Sequence, residues 1–259
     1  MGNFIQFNVE NGIAVLTLNR PDKLNSFNRD MALDMQSRLD ECRENTEIRA
    51  VVITGSGRAF SAGQDLEEAT DPQGPELSKI VCEHYNPIVK RIRALEKPVI
   101  ALVNGVAAGA GANIALSCDI VLAAQSATFI QAFSKIGLIP DSGGTYFLPR
   151  LVGMQKASAL MMLGDKITAK EAESMGMIYK VVPDDELESF GLKLSVHLAQ
   201  MPTFGLALTK KALNKSFGNN LNQQLDLEDQ LQTMAGKSDD YKEGTAAFLE
   251  KRKPIFKGK

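Results

Sequence analysis

Three short runs limit the fold of this chain more than any other feature. Residues 48–55 read IRAVVITG, residues 98–105 read PVIALVNG and residues 120–124 read IVLAA. Strands with one wet face alternate polar and apolar residues. Strands without that alternation are buried on both faces, in sheets covered by helices. Helical spacing fills the intervals. RDMALDMQSRLDECREN carries Met31, Leu33, Met35 and Leu39 at helical intervals, and LSKIVCEHYNPIVKRIRALEKP continues the theme, with Pro87 bending or interrupting it. Before them, alternating residues flank Asn11-Gly12, which reads as a β-hairpin. After them, GMQKASALMMLGDKITAKEAESMGMI reads as a helix pair with Thr168 capping the second helix, and YKVVP as a last strand. Strand and helix alternate through about the first 180 residues, which is an α/β signature. From Asp185 the pattern is almost wholly helical. The expected organisation is a core over 1–195 and a helical C-terminal region over 196–259.

Charge and cysteine content exclude several functions. The chain has 29 basic and 31 acidic side chains, a net charge of -2. Nucleic-acid binding needs a basic surplus to neutralise phosphates. The three cysteines, Cys42, Cys82 and Cys118, are widely spaced and form neither a metal pattern nor a disulfide framework. The start, MGNFIQFNVENG, lacks a signal peptide's basic end and apolar run. It opens like a myristoylation site but has Gln6 where Ser or Thr is needed. No apolar run approaches the ~18 residues of a membrane span. These features point to a cytoplasmic, enzyme-like chain.

Two glycine loops are candidate sites. VNGVAAGAGANIALSCD turns from a strand into a helix, and N–H groups at a helix start carry partial positive charge. It is neither a P-loop nor a dinucleotide fingerprint, since no Gly-Lys-Ser/Thr follows and Ile114 stands where the third glycine belongs. Close packing of small residues explains it as well as anion binding does. GSGRAFSAGQDLEE follows the first buried strand; Gly63 permits a tight turn, and Asp65 caps a helix or closes a plain loop. Two such loops supply the pair of N–H donors that acyl chemistry requires. A single carboxylate, Asp141, follows the apolar run KIGLIP. It is either the N-cap of the helix beginning at SGGTYFLPRL or a base whose pKa a greasy setting raises. Asp119, Asp65 and Glu68 sit at element starts. His84, beside Tyr85, is a better pocket candidate than His197.

RAFSAGQDL, NGVAAGAGANIALSCDIVLAA and KIGLIPDSGGTYFLPRLVG, with LNRPDKLNSF near the start and GTAAFLEKRKPIFKGK at the end, resemble the signatures of the crotonase family. This is the enoyl-CoA hydratase/isomerase superfamily. The motifs fall in the family's order across essentially the whole chain. The resemblance implies a crotonase (ClpP-like) spiral of ββα units with a helical C-terminal trimerisation region, assembled as a homotrimer or dimer of trimers. It implies acyl-CoA thioester substrates, no metal and no separate cofactor, coenzyme A being part of the substrate. Motif by motif it places the oxyanion donors at the N–H groups of Gln64 and Ala110. The family usually has glycine at the latter; alanine keeps the N–H and adds a Cβ. Ala62 would lie along the adenine, Leu24 against the CoA, and Phe248 and Lys251 against CoA too, often from a neighbouring subunit.

The family's hydratases use two glutamates, and here those positions hold Asn113 and Phe133, neither of which transfers a proton. Asp141, eight residues beyond Phe133, is the acid that remains. Members that move double bonds or act on aromatic thioesters place an acid near it. GQDL, YNP, AFSKIGLIPDSGGT, MPTFGLALTKKA and QLDLEDQ resemble members that rearrange an aromatic-ring epoxide carried as its CoA thioester. Three functions stay open: such an isomerase, an enoyl-CoA hydratase or 3,2-enoyl-CoA isomerase of β-oxidation, and a non-catalytic CoA-binding subunit. The intact donor loops and Asp141 favour the first.

Overall fold

Asn11 and Gly12 take left-handed backbone, φ 52° and 77°, and fold β1 (Ile5–Glu10) back on β2 (Ile13–Leu18) with Glu10 opposite Ile13. This is the two-residue turn that Asn-Gly favours. The structure, a computed structural model, describes residues 4–259; the first three residues of the MGNFIQ start lie outside the described residues. The three apolar runs form β3 (Ala50–Gly55), β5 (Val99–Val103) and β7 (Ile120–Ala124). With β10 (Lys180–Val182) they complete a six-stranded sheet in the order β1-β2-β3-β5-β7-β10, parallel from β2 onward. A second sheet stacks β4 (Ala59–Ser61), β6 (Val106–Ala108), β8 (Thr128–Ile130) and β9 (Lys166–Thr168), with only the last pair antiparallel. After the β1–β2 hairpin, each turn of the chain adds one strand to each sheet, as a ββα spiral does.

The first helix, α1 (Arg29–Glu44), is capped by the Asn28 side chain, which accepts from the Met31 N–H. Its buried face is Met31, Ala32, Met35, Gln36, Leu39 and Cys42. Leu33, expected on that face, is 42 % exposed. Met31, Met35 and Leu39 stack at four-residue intervals, and Leu33 points roughly 200° away from Met31 around the axis. Short helices α2 (Leu66–Thr70) and α3 (Leu77–Lys79) follow. The chain then widens into a π-turn over Ile80–Tyr85 before α4 (Asn86–Ala94). Pro87 has no N–H to give, and the π-turn interrupts the helical run just before it, as its position in the sequence suggests. The carbonyl it leaves four residues back, on Glu83, accepts instead from buried Gln36 Nε2 at 2.7 Å.

Further along, α5 (Ala110–Leu116), α6 (Gly144–Val152), α7 (Met154–Leu163) and α8 (Ala169–Ser174) alternate with the later strands. Thr168 caps α8 in a full capping box with Glu171, as its sequence suggests. The C-terminal helices are α9 (Leu187–Ala199), α10 (Thr203–Ser216), α11 (Leu221–Ala235) and α12 (Asp239–Leu249). The boundary expected at residue 195 falls inside α9, which packs along β3, β5 and β7. The helices α10, α11 and α12 lie beyond it. Among the described residues no helix is long and apolar enough to cross a membrane.

A charge cluster built around buried Lys210 and half-buried Asp119 and Arg93 fastens α10 to the core. Asp119 pairs with Arg93 at 2.9 Å and with Lys210 at 2.8 Å, and accepts from the Val99 N–H at 2.8 Å. Lys210 also donates to the Ile92 and Lys97 carbonyls at 2.7 and 3.2 Å. Burial lowers its pKa against the pull of Asp119. Removing one partner of such a cluster leaves buried acceptors unmet. Lys210→Ala is therefore expected to cost about 3 kcal/mol of unfolding free energy, measured by chemical denaturation; a loss near zero would show that the cluster is not holding the helix.

Candidate active site

The site begins at the turn after β4. Gly63 has φ 90°, a conformation that favours glycine, and turns the chain toward Gln64. Phe27 clamps this turn from both sides: its N–H donates to the Gly63 carbonyl at 2.7 Å and its carbonyl accepts from the Asp65 N–H at 2.8 Å. The Gln64 N–H between them is left without a protein acceptor among the described residues. Ala110 is the first residue of α5, where an N–H has no partner within the helix. The two loops touch. A Cβ on Gly63 would lie 3.3 Å from the Ala110 nitrogen and 2.8 Å from the Ala108 carbonyl oxygen. At the next residue, a Cβ on Gly111 would come within 2.6 Å of Ser61, so α5 rests directly on β4. The two loops that carry the expected donors, Gln64 and Ala110, are therefore in contact.

Asp141 precedes α6. Its carbonyl accepts from the Gly144 N–H at 2.8 Å and from Asn113 Nδ2 at 2.9 Å. Its carboxylate accepts from the Ser142 hydroxyl at 2.8 Å. The cap residue of α6 is Gly143, with no side-chain cap, so the alternative reading of Asp141 as an N-cap is corrected. Burial raises the Asp141 pKa, against the opposing hydrogen bond from Ser142. Its charge reaches Tyr85, whose hydroxyl is pushed well above its ordinary value, by burial first and by Asp141 next. That hydroxyl donates to Gln64 Oε1 at 2.7 Å. Asn113 thus bonds the Asp141 loop to α5, and Tyr85 bonds to the Gln64 loop.

The two positions where glutamates are absent are also placed. Asn113 is fully buried in α5. Phe133 is buried in a 3-10 turn over Ala132–Ile136, its ring 3.7 Å from where a Cβ on Gly109 would stand. It makes an apolar wall where a second carboxylate would otherwise face the donors. Such a site can stabilise an enolate and move one proton; it lacks a pair of carboxylates to hold and split water.

The remaining sequence candidates divide. Leu24, at φ 51°, accepts at its carbonyl from the Ala62 N–H at 2.9 Å, so these two are neighbours beside the Gly63 turn. Phe248 and Lys251 are not brought to them. Phe248, 82 % exposed, lines a hollow of about 910 Å³ between α10, α11 and α12. Asp65 caps α2 and pairs with Arg20 at 2.8 Å. His84 is buried, and Arg29 lies 3.3 Å from its Nε2; burial lowers its pKa. Its neighbour Tyr85, not His84, bonds to Gln64. His197 is exposed on α9. Among the described residues no group of three or more His, Cys, Asp or Glu side chains is placed to hold a metal.

Sequence reasoning missed the roles of Tyr85 and Asn113. The signal for Tyr85 was Pro87 two residues later, because the π-turn that accommodates the proline buries His84 and Tyr85 together.

Residues 8–259 match the Enoyl-CoA hydratase/isomerase family. A 1,2-epoxyphenylacetyl-CoA isomerase of Escherichia coli (strain K12) is 51 % identical, with both chains covered in full. A probable enoyl-CoA hydratase of Rhodobacter capsulatus is 46 % identical over 98 % of each chain. Among solved structures, the enoyl-CoA hydratase of Bacillus anthracis superposes with a TM-score of 0.95 at 31 % identity, over 99 % of this chain and 100 % of that one. A family match along nearly the entire length, relatives about half identical and a fold shared with a solved enoyl-CoA hydratase establish that the chain belongs to the enoyl-CoA hydratase/isomerase family.

Proposed function

We propose that the protein is an acyl-CoA isomerase that converts 2-(1,2-epoxy-1,2-dihydrophenyl)acetyl-CoA to its ring-expanded oxepin-CoA isomer. What supports this reading is the desolvated carboxylate of Asp141, on a loop bonded to the helix that starts at Ala110, with an amide and a phenyl ring at the hydratase positions. The full-length likeness to the Escherichia coli epoxide isomerase supports the aromatic substrate.

In this reading the thioester carbonyl accepts hydrogen bonds from Gln64 N–H and Ala110 N–H. Asp141 takes a proton from the carbon next to that carbonyl, and the electron pair moves into the thioester as an enolate. The enolate drives opening of the epoxide and expansion of the ring. Asp141 then returns the same proton farther along the conjugated system, so no atom is gained or lost. A raised pKa strengthens the base, and the two donors bring the substrate proton within its range. The same shuttle would move the double bond of a 3-enoyl-CoA. Leu24 and Ala62 border the CoA. Phe248 and Lys251 reach it from a neighbouring copy, in a homotrimer or dimer of trimers in the cytoplasm. Exposed Phe248, Leu249 and Ile255, at 82, 80 and 75 %, support such self-association.

Two predictions test this. With the aromatic epoxide, Asp141→Asn should lower kcat by about 10²–10⁴-fold while acyl-CoA binding persists, and neither form should hydrate crotonyl-CoA at a rate near its isomerase rate. Full activity in Asp141→Asn would remove that residue from the chemistry. Stability should move the other way. A carboxyl whose folded pKa is raised opposes folding once ionised, so its cost is present above the raised value and absent below the unfolded one. Asp141→Asn should therefore melt higher than the wild type at pH 7 and equally at pH 3, as followed by calorimetry.

A further inference from the structure

Asn113 stands where the family's hydratases carry a catalytic glutamate, yet it is fully buried. Asparagine is a poor helix former, and an amide in an apolar interior must be hydrogen-bonded to be tolerated. Its partners are specific. Nδ2 donates to the Asp141 main-chain carbonyl at 2.9 Å, and Oδ1 accepts from Gln131 Nε2 at 2.8 Å. The carbonyl can only accept, which fixes which way the Asn113 amide points, and this in turn fixes the Gln131 amide. Gln131 is itself 3 % exposed. A Cβ on Gly144 would run into the same Asn113 amide, so the first residue of α6 is pressed against it. Asn113 lies on the same short helix whose first N–H, on Ala110, is one of the two donors.

We infer that Asn113, held by Gln131, is a positioning residue that sets the distance between the Asp141 base and the oxyanion donor on α5. The inference rests on the isomerase reading above. Where a hydratase would carry a proton-transfer group, this chain carries a strut. It ties the loop that carries the base to the helix that carries the donor, so the two move as one body. Without it the Asp141 main chain keeps only the Gly144 contact to its carbonyl, within its own turn; the segment's other main-chain bonds, from the Leu138 N–H to the Phe133 carbonyl and from the Tyr146 and Phe147 N–H groups to the Gly143 carbonyl, are equally local. Substrate CoA is bound elsewhere, at the Leu24 and Ala62 side, so affinity should not depend on the strut.

The test uses Asn113→Leu, which keeps the branched shape and removes both hydrogen bonds, and Gln131→Leu, which frees the amide but leaves it in place. On the aromatic epoxide, Asn113→Leu should lower kcat about 30- to 100-fold with KM within twofold, since a misplacement near 1 Å costs about that much. Gln131→Leu should lower kcat by a smaller factor, again without moving KM. In both, amide hydrogen exchange at Gly144, Tyr146 and Phe147, whose N–H groups bond to the Asp141 and Gly143 carbonyls, should quicken while that of β3 and β5 stays unchanged. Unchanged kcat in Gln131→Leu and in a folded Asn113→Leu, or unchanged exchange at Gly144, Tyr146 and Phe147, would overturn the inference. If Asn113→Leu does not fold, Gln131→Leu decides alone. An Asp141→Asn enzyme that stays active would defeat the isomerase reading itself, whereas an inactive one beside a fully active Gln131→Leu would defeat only the strut.

Discussion

The site depends on how closely two peptide segments approach. The turn at Gly63 and the start of α5 touch, with no room for a Cβ on Gly63 or Gly111. The donors are main-chain groups, so no side chain can be repositioned to bring them together. The backbones themselves must come within contact distance, and small residues along both loops allow it. The sheets make that approach reproducible. Strands β4 and β6 pair directly, so the loops leaving them start side by side. Phe27, fully buried, then clamps the Gly63 turn from both sides.

Electrostatics follows from the same geometry. Other buried or half-buried carboxylates have strong partners: Asp65 has Arg20, Asp119 has Arg93 and Lys210, and Asp240 accepts from the N–H groups of Lys257 and Gly258. Asp141 receives one hydroxyl, from Ser142. A carboxylate stripped of water and given no cation holds its proton more tightly, which makes it a stronger base and a less stable feature of the fold. Strain collects there too. Ser142 is buried at φ 51°, a left-handed conformation that costs a residue of its kind of order 1 kcal/mol.

The layered α/β architecture was legible in the sequence because buried parallel strands leave no polar alternation, as IRAVVITG, PVIALVNG and IVLAA show. The Asn-Gly hairpin and the Thr168 cap were legible because both are local chemistry. Leu33 was misplaced because an apolar residue in a helical run looks the same on either face until the stripe of Met31, Met35 and Leu39 is fixed by its partners. The donor loops could be proposed from their glycines, but their contact is a tertiary fact. Tyr85 and Asn113 were hidden for the same reason. Each acts through a hydrogen bond to a residue far along the chain, 21 positions to Gln64 and 28 to Asp141, and no local pattern encodes such a pairing. Phe248 and Lys251 illustrate the opposite case: motif position suggested CoA contacts, and within one chain they stand apart from the Leu24 and Ala62 side.

The central claim is that one desolvated carboxylate removes a proton from a carbon whose thioester oxygen two main-chain N–H groups hold. Hydrogen exchange into an unreactive substrate isolates that step. Phenylacetyl-CoA has the same acidic carbon and no epoxide to open. Incubated with the enzyme in deuterium oxide and followed by mass spectrometry or proton NMR, it should gain deuterium at that carbon far faster than in buffer, with the gain abolished by Asp141→Asn. Exchange no faster than in buffer, or exchange that persists in the variant, would contradict the account.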